Sequence, residues 1–115
     1  MKKKLLIAVV LFALTGLYAF AQNLPTVTIV NQTGYTVWSV YISPSSDDNW
    51  GEDRLGADYL YDGDQISITL DIPLAAENIY DICLGDEDGD SYYKWEVRIQ
   101  NGSVIVFTFD DIDFE

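Results

Sequence analysis

The sequence predicts an all-β domain, a small antiparallel β-sandwich of about six or seven strands with an Ig-like or C2-like arrangement. Runs of β-branched and aromatic residues recur along the chain, and Gly, Asn, Asp and Pro separate them. No segment after the N-terminal one keeps the helical period of about 3.6 residues. Apolar and polar residues alternate within the runs, so each sheet is expected to bury one face. A small β-barrel is the alternative.

The first 21 residues have the pattern of a secretory signal peptide. Lys2–Lys4 are basic, residues 5–18 are apolar, and Ala19-Phe20-Ala21 is a small-x-small cleavage site. The apolar run is shorter than the ~20 residues that cross a bilayer, and no Cys for a lipid anchor stands at the cleavage site. We therefore predict a signal peptide over 1–21, a single domain over 22–115, and export to a periplasm or to the extracellular medium.

The predicted domain is strongly acidic. The chain of 115 residues has a formal net charge of −13, and every acidic residue follows the cleavage site. Removing the three positive charges of Lys2–Lys4 from −13 leaves −16 for residues 22–115. Such a charge repels phosphate backbones and anionic membranes, so we expect no nucleic-acid partner and no membrane insertion after cleavage. The three Trp and the many Tyr, Ile and Val are untypical of a disordered acidic tail.

Two strands and a long loop are predicted in the first half of the domain. The strands cover 26–30 and 35–42. In the second strand, Trp38, Val40 and Ile42 form the more apolar set and are expected to face the core. The loop over 43–56 is long enough to be a functional one.

The second half of the domain contains further predicted strands. A short strand over 58–61 leads to an Asp-Gly turn, and clear alternation follows over 66–72. The remaining strands cover 80–84, 92–99 and 104–109. The side chains expected to face the core from 66–72, 80–84 and 92–99 are Ile66, Ile68, Leu70, Ile72, Tyr80, Ile82, Leu84, Tyr93, Trp95, Val97 and Ile99.

The turn Asp86-Glu87-Asp88-Gly89-Asp90 is a candidate half of a cation site. If strands run alternately up and down, this turn, the turn at 62–64 and the acidic tail at 110–113 share one end of the sandwich. Ca²⁺ takes 6–8 oxygen ligands, and the candidate ligands are Asp62, Asp64, Asp86, Asp88, Asp90, Asp110 and Asp111. An EF-hand is excluded, because Gly89 is fourth in the loop and Val97 is twelfth. The alternative is ordinary turn chemistry without a cation.

Catalysis is not expected. The sequence contains no His, which removes Ser-His-Asp systems and His-based zinc sites, and it contains one Cys. That residue, Cys83, is a small strand residue or the partner of an intermolecular disulfide. We expect a monomer.

Aromatic residues are a second candidate feature, suited to stacking on a carbohydrate or contacting a protein. The residues that we expect to be partly exposed are Tyr41, Trp50, Tyr59, Tyr61 and Tyr92. The alternative is that they form the core. The function predicted first is an exported, non-enzymatic binding or structural module stabilised by Ca²⁺. The alternative is a carbohydrate- or protein-ligand-binding module that uses exposed Tyr and Trp and the 43–56 loop.

A set of short motifs covers most of the predicted domain. They are Asn31-x-Thr33-Gly34-Tyr35, Ser43-Pro44-Ser45, Asp48-x-Trp50-Gly51-x-Asp53-x-Leu55-Gly56, Tyr80-Asp81-Ile82 and Asp86-x-Asp88-Gly89-Asp90. In these motifs the chain resembles a family of small exported bacterial domains of unknown function, some of which carry the name argininosuccinate lyase. That name conflicts with a small all-β chain, because the lyase is a large helical tetramer. The resemblance implies an exported domain and supplies no site residues.

Overall fold

The computed structural model describes residues 24–114, so the predicted signal peptide lies outside the described residues. Within this range the chain forms seven strands and one 3-10 turn. The elements are β1 Thr26–Gln32, β2 Val37–Pro44, β3 Gln65–Thr69, β4 Ile79–Asp86, β5 Ser91–Arg98, β6 Val104–Thr108, the 3-10 turn Phe109–Asp111, and β7 Ile112–Asp113. No helix among residues 24–114 is long and apolar enough to cross a bilayer.

The strands form two sheets, which confirms the predicted β-sandwich. The three-stranded sheet has the order β3-β1-β6, and the four-stranded sheet has the order β2-β4-β5-β7. Every pairing is antiparallel except that of β1 with β6, which is parallel. The sandwich is therefore antiparallel apart from this one pair. A parallel pair needs a long crossover connection, and here the first and last long strands are joined through the opposite sheet.

The core lies between the sheets. Alternation buries one face of β1, β3, β4 and β6, as predicted, although Cys83 on the other face of β4 is also buried. The buried side chains of the three-stranded layer are Val27, Ile29, Ile68, Leu70, Ile105 and Phe107. Those of the four-stranded sheet that face them are Val37, Val40, Ile42, Tyr80, Ile82, Leu84 and Tyr92.

The prediction that Trp38 faces the core is wrong. Val37 is completely buried, whereas Trp38 is 49% exposed. The pairing of β2 with β4 shifts between Val37 and Ser39. An extra residue in one strand of a pair moves the following side chains to the opposite face, so Val40 and Ile42 still point inward.

The predicted faces of β5 are also wrong in its first half. Tyr92 is completely buried, and Trp95, which was expected inside, is 59% exposed. The pairing of β4 with β5 is irregular near Tyr80, and Glu96 has a positive φ of 52°. This bulge moves the following side chains to the opposite face, so that Ile99 is buried as predicted.

The segment over 58–61 is not a strand. It contributes a single bridge, in which Leu60 pairs with Val37. The 66–72 strand is also shorter than predicted and ends at Thr69, although Leu70 remains in the core. The bridge at Leu60 brings the long segment between β2 and β3 back against the edge of the four-stranded sheet.

Candidate functional site

The outer face of the four-stranded sheet carries rows of side chains across its strands. Tyr41 on β2 pairs with Cys83 on β4, which pairs with Tyr93 on β5. In a neighbouring row, Ser43 pairs with Asp81. Cys83 is only 8% exposed. Burial raises the pKa of its thiol to about 11, against a weaker opposite effect of a hydrogen bond with Tyr93. The thiol is therefore protonated and unreactive at neutral pH.

Four rings meet on this outer face. Tyr41, Trp50, Tyr93 and Trp95 form what we call the sheet-face aromatic group. The Trp50 ring centroid lies 6.5 Å from that of Tyr41, 6.4 Å from that of Tyr93 and 5.8 Å from that of Trp95. Tyr93 and Trp95 stack at 5.0 Å with an interplanar angle of 9°. Since Trp95 is 59% exposed, part of its ring surface is available for a further stacking contact.

The loop that carries Trp50 is clamped to the edge of β2. The Val40 amide donates to Asp53 Oδ1 at 2.9 Å, and the Arg54 amide donates to the Val40 carbonyl at 2.7 Å. Asp53 Oδ1 also accepts from the Leu55 amide at 2.9 Å, and Leu55 is buried in the core. This clamp gives the Trp-Gly-x-Asp-x-Leu-Gly motif a structural role, since it covers a sheet edge and holds Trp50 over the sheet.

Beside the sheet-face aromatic group lies a cleft of about 250 Å³, which we call the sheet-face cleft. Its polar and aromatic walls are Asp47, Asp48, Asn49, Trp50, Asp81 and Trp95. Asp81 Oδ1 accepts from Ser45 Oγ at 2.7 Å and from the Glu96 amide at 2.8 Å. Asp47 Oδ1 accepts from the Asn49 amide at 3.1 Å. These bonds fix the wall carboxylates beside the exposed indole of Trp95.

A second group of rings lies where β2 meets the returning segment. We call Trp38, Tyr59 and Tyr61 the edge aromatic group. Trp38 and Tyr59 stack at 5.6 Å with an interplanar angle of 28°, and Tyr59 meets Tyr61 edge-on at 6.4 Å. Next to them is a cleft of about 420 Å³, the edge cleft. Among its walls are Leu55, Asp58, Tyr59, Tyr61, Gln65 and Ile66.

The acidic segments lie at one end of the sandwich. The end of β1 pairs with the start of β3 and with the end of β6, and the start of β2 pairs with the end of β4. This common end therefore holds the segments that carry Asp62, Asp64, Asp86, Asp88, Asp90, Asp110 and Asp111. The Gly34 amide donates to Asp62 Oδ1 at 2.9 Å, and the Glu87 amide donates to the Thr36 carbonyl at 2.9 Å. The turns at this end are thus tied to one another.

Asp86 at this end is a buried structural carboxylate. It is 4% exposed, and its Oδ1 accepts from the amides of Asp88 and Asp90, both at 2.9 Å. Its Oδ2 accepts from the Tyr92 hydroxyl at 2.8 Å. Burial raises the pKa of Tyr92, and the hydrogen bond to Asp86 and the charge of that carboxylate raise it further. Asp86 therefore closes its own turn and partners the buried Tyr92.

Asp111 has a similar role at the end of β6. Its Oδ2 accepts from the Thr108 amide at 2.9 Å, and its Oδ1 accepts from Lys94 Nζ at 3.2 Å. Over residues 24–114, no group of three or more His, Cys, Asp or Glu side chains is arranged to hold a metal ion. The Ca²⁺ site at the acidic end and its alternative, turn chemistry without a cation, both stay predictions.

The structure brings some of the predicted ligand-binding residues together and separates others. Tyr41 and Trp50 lie in the sheet-face aromatic group, whereas Tyr59 and Tyr61 lie in the edge aromatic group. The prediction that Tyr92 is partly exposed is wrong, because Tyr92 is completely buried.

Sequence reasoning missed Trp95 and Asp81. A usable signal was the short turn at 86–90, which sets Leu84 opposite Tyr92. Residues that pair across strands share a face. An inward Leu84 therefore requires an inward Tyr92, which turns Tyr93 and Trp95 outward.

Comparison of the chain with protein-family models and with curated proteins finds no match. Among solved structures, the chain is similar to a protein from Eubacterium rectale that was determined by NMR. The two share 15% sequence identity with a TM-score of 0.57, over 76% of this chain and 80% of that one. At this identity the likeness shows the fold alone, and it agrees with a small β-sandwich.

Proposed function

We propose that the protein is an exported, non-enzymatic binding module whose sheet-face cleft takes a neutral carbohydrate. One observation carries the proposal: the exposed indole of Trp95, stacked on Tyr93, stands beside the carboxylates and the amide of the cleft. Orienting polar groups next to an aromatic wall are the usual composition of a small-molecule site.

The chemistry of the cleft suits a sugar ring. The C–H face of a pyranose packs on an aromatic face, and its hydroxyl groups donate to carboxylate oxygens. Trp95 supplies the first contact, while Asp47, Asp48 and Asp81 supply the acceptors. Asn49 adds an amide that both donates and accepts. The charge of the domain disfavours an anionic ligand, so the expected sugar is neutral.

Several features favour binding over catalysis. The sequence has no His, and the thiol of Cys83 is buried with a raised pKa of about 11. The chain therefore has no imidazole base, and its one thiol is not an activated nucleophile. Asp81, which lines the cleft, holds Ser45 and the backbone at Glu96 in place.

The test is isothermal titration calorimetry of the protein with cello-, malto-, xylo- and manno-disaccharides. We expect the protein to bind at least one of them. We expect Trp95→Ala to weaken that binding at least about tenfold, which is ~1.4 kcal/mol, because it removes the stacking surface. Trp38→Ala is the matched control, since Trp38 is 49% exposed against 59% for Trp95 and belongs to the other group.

Three results would overturn the proposal. The first is the same affinity for wild type and Trp95→Ala. The second is no affinity for any of the sugars together with clear binding of an Arg- or Lys-rich peptide, because cations also favour carboxylates beside aromatic faces. The second result would establish a protein ligand instead. The third is binding of neither class, which would remove the sheet-face cleft as a ligand site.

A further inference from the structure

The edge aromatic group is a second exposed stacking surface. Trp38, Tyr59 and Tyr61 are 49%, 53% and 56% exposed. Trp38 occupies the irregular position of β2 and stacks on Tyr59. Large apolar side chains at a surface mark an interaction site when they are grouped, and not when they are scattered singly.

The edge cleft shares aromatic, carboxylate and amide groups with the sheet-face cleft, and it adds an aliphatic wall of Leu55, Leu60 and Ile66. Its aromatic walls are Tyr59 and Tyr61, its carboxylate is Asp58, and its side-chain amide is Gln65. The sheet-face cleft likewise combines rings, carboxylates and the amide of Asn49. Because both clefts place an aromatic face beside a carboxylate and a side-chain amide, both fit a ligand that combines a ring face with hydroxyl groups.

The sheet-face aromatic group and the edge aromatic group are held at fixed positions relative to each other. Trp38 and Tyr41 are three positions apart on β2, so their Cα atoms are separated by about 10 Å at most. Between them, Val40 is clamped by Asp53 and Arg54. The segment before the clamp walls the sheet-face cleft, and the segment after it walls the edge cleft. No reordering of the loop is needed to present both clefts at once.

From this arrangement we infer that the edge aromatic group is a second subsite for the same carbohydrate, so that the ligand is a neutral polysaccharide chain. This inference rests on the proposed function. A chain that engages both clefts binds its second subsite intramolecularly, at a high effective concentration. Affinity therefore rises with chain length until both clefts are filled. A short sugar occupies the sheet-face cleft first, because that cleft has three carboxylate acceptors and the edge cleft has one.

The experiment is calorimetry with cello-, malto-, xylo- and manno-oligosaccharides of increasing length and with the corresponding polymers. We expect affinity to rise about tenfold or more from disaccharide to polymer. Trp38→Ala and Tyr59→Ala are each expected to remove that rise and to leave disaccharide affinity unchanged. Phe114→Ala, which removes an exposed ring outside both clefts, is expected to bind as wild type does. Thermal melts check that every variant is folded.

The outcomes separate this inference from the function on which it rests. If disaccharides bind through Trp95 but affinity does not change with length, the second subsite is wrong and the proposed function stands. The same holds if affinity rises with length in Trp38→Ala and Tyr59→Ala as in wild type. If neither disaccharides nor polymers bind, both are wrong.

Discussion

The acidic end and the sheet-face cleft both gather carboxylates, but they use them differently. At the acidic end, Asp86 is 4% exposed and accepts three hydrogen bonds from its own turn and from Tyr92. In the cleft, Asp48 is exposed next to Trp50 and Trp95. Carboxylate density alone therefore does not mark a binding site, because acidic side chains also cap turns. Exposed acceptors beside an exposed ring are the more specific signal.

The largest expected effect concerns the capping carboxylate. Asp86→Ala leaves two turn amides and the buried Tyr92 hydroxyl without their acceptor. We expect a loss of about 3 kcal/mol in the free energy of unfolding, measured by denaturant titration. Asp88→Ala, which removes an exposed carboxylate of the same turn, is the control and is expected to change stability by no more than ~0.5 kcal/mol. Equal effects of the two substitutions would show that Asp86 has no special structural role.

A smaller effect is expected from the partner hydroxyl. Tyr92→Phe removes the donor to Asp86 and is expected to cost ~1–3 kcal/mol. Its matched control is Tyr80→Phe. Tyr80 is also buried, but its hydroxyl has no hydrogen-bond partner among residues 24–114. Tyr80→Phe is therefore expected to be neutral or slightly stabilising. The two variants are compared by denaturant titration at neutral pH. A greater loss in the free energy of unfolding for Tyr80→Phe would contradict a stabilising role of the hydrogen bond from Tyr92 to Asp86.

The hydrogen-bonded pair of Tyr92 and Asp86 also leads to a prediction about the pH dependence of stability. The pKa of Tyr92 is raised above its ordinary value of 10.0, first by burial and then by Asp86. Because the pKa of Tyr92 is higher in the folded than in the unfolded state, its contribution to stability is complete below pH 10. That contribution is lost as pH rises above 10, since the unfolded chain ionises first. Tyr92→Phe should therefore make the alkaline decline of stability shallower. An unchanged decline would show that the pKa of Tyr92 is not raised in the folded protein.

The fold could be predicted because several strands alternate clearly in sequence. In β1 and β3, apolar and polar positions alternate so that one register buries Val27, Ile29 and Ile68. Strand direction placed the turn at 86–90 and the tail at 110–113 at one end, and the turn at 62–64 also lies there although 58–61 is not a strand. The bulges could not be read in the same way. Val37 and Trp38 are both apolar, so their sequence does not reveal which one the shift at β2 turns outward.

The sheet-face cleft was only half predictable for a related reason. The residue type and the length of the 43–56 loop predict Trp50 as a ligand-binding residue. Trp95 and Asp81 belong to the cleft because of the pairing of three strands distant in sequence. Alternation within β5 does not show which side chains face the core, because Tyr92 and Tyr93 are both aromatic. Only the pairing across the turn at 86–90 places Tyr92 inside and Trp95 outside.

The smallest expected effect is that of cations at the acidic end on the melting midpoint. With a charge of −16 over residues 22–115, any salt should raise the melting midpoint slightly by screening repulsion. Because Asp62, Asp86 and Asp111 already accept hydrogen bonds, we expect Ca²⁺ and NaCl of equal ionic strength to give the same small rise. The measurement is a thermal melt in each salt and with chelator. A rise of the melting midpoint that is specific to Ca²⁺ and is lost in Asp88→Ala would instead establish a cation site at this end. The carboxylates of the acidic end would then bind a ligand, as those of the sheet-face cleft are proposed to do.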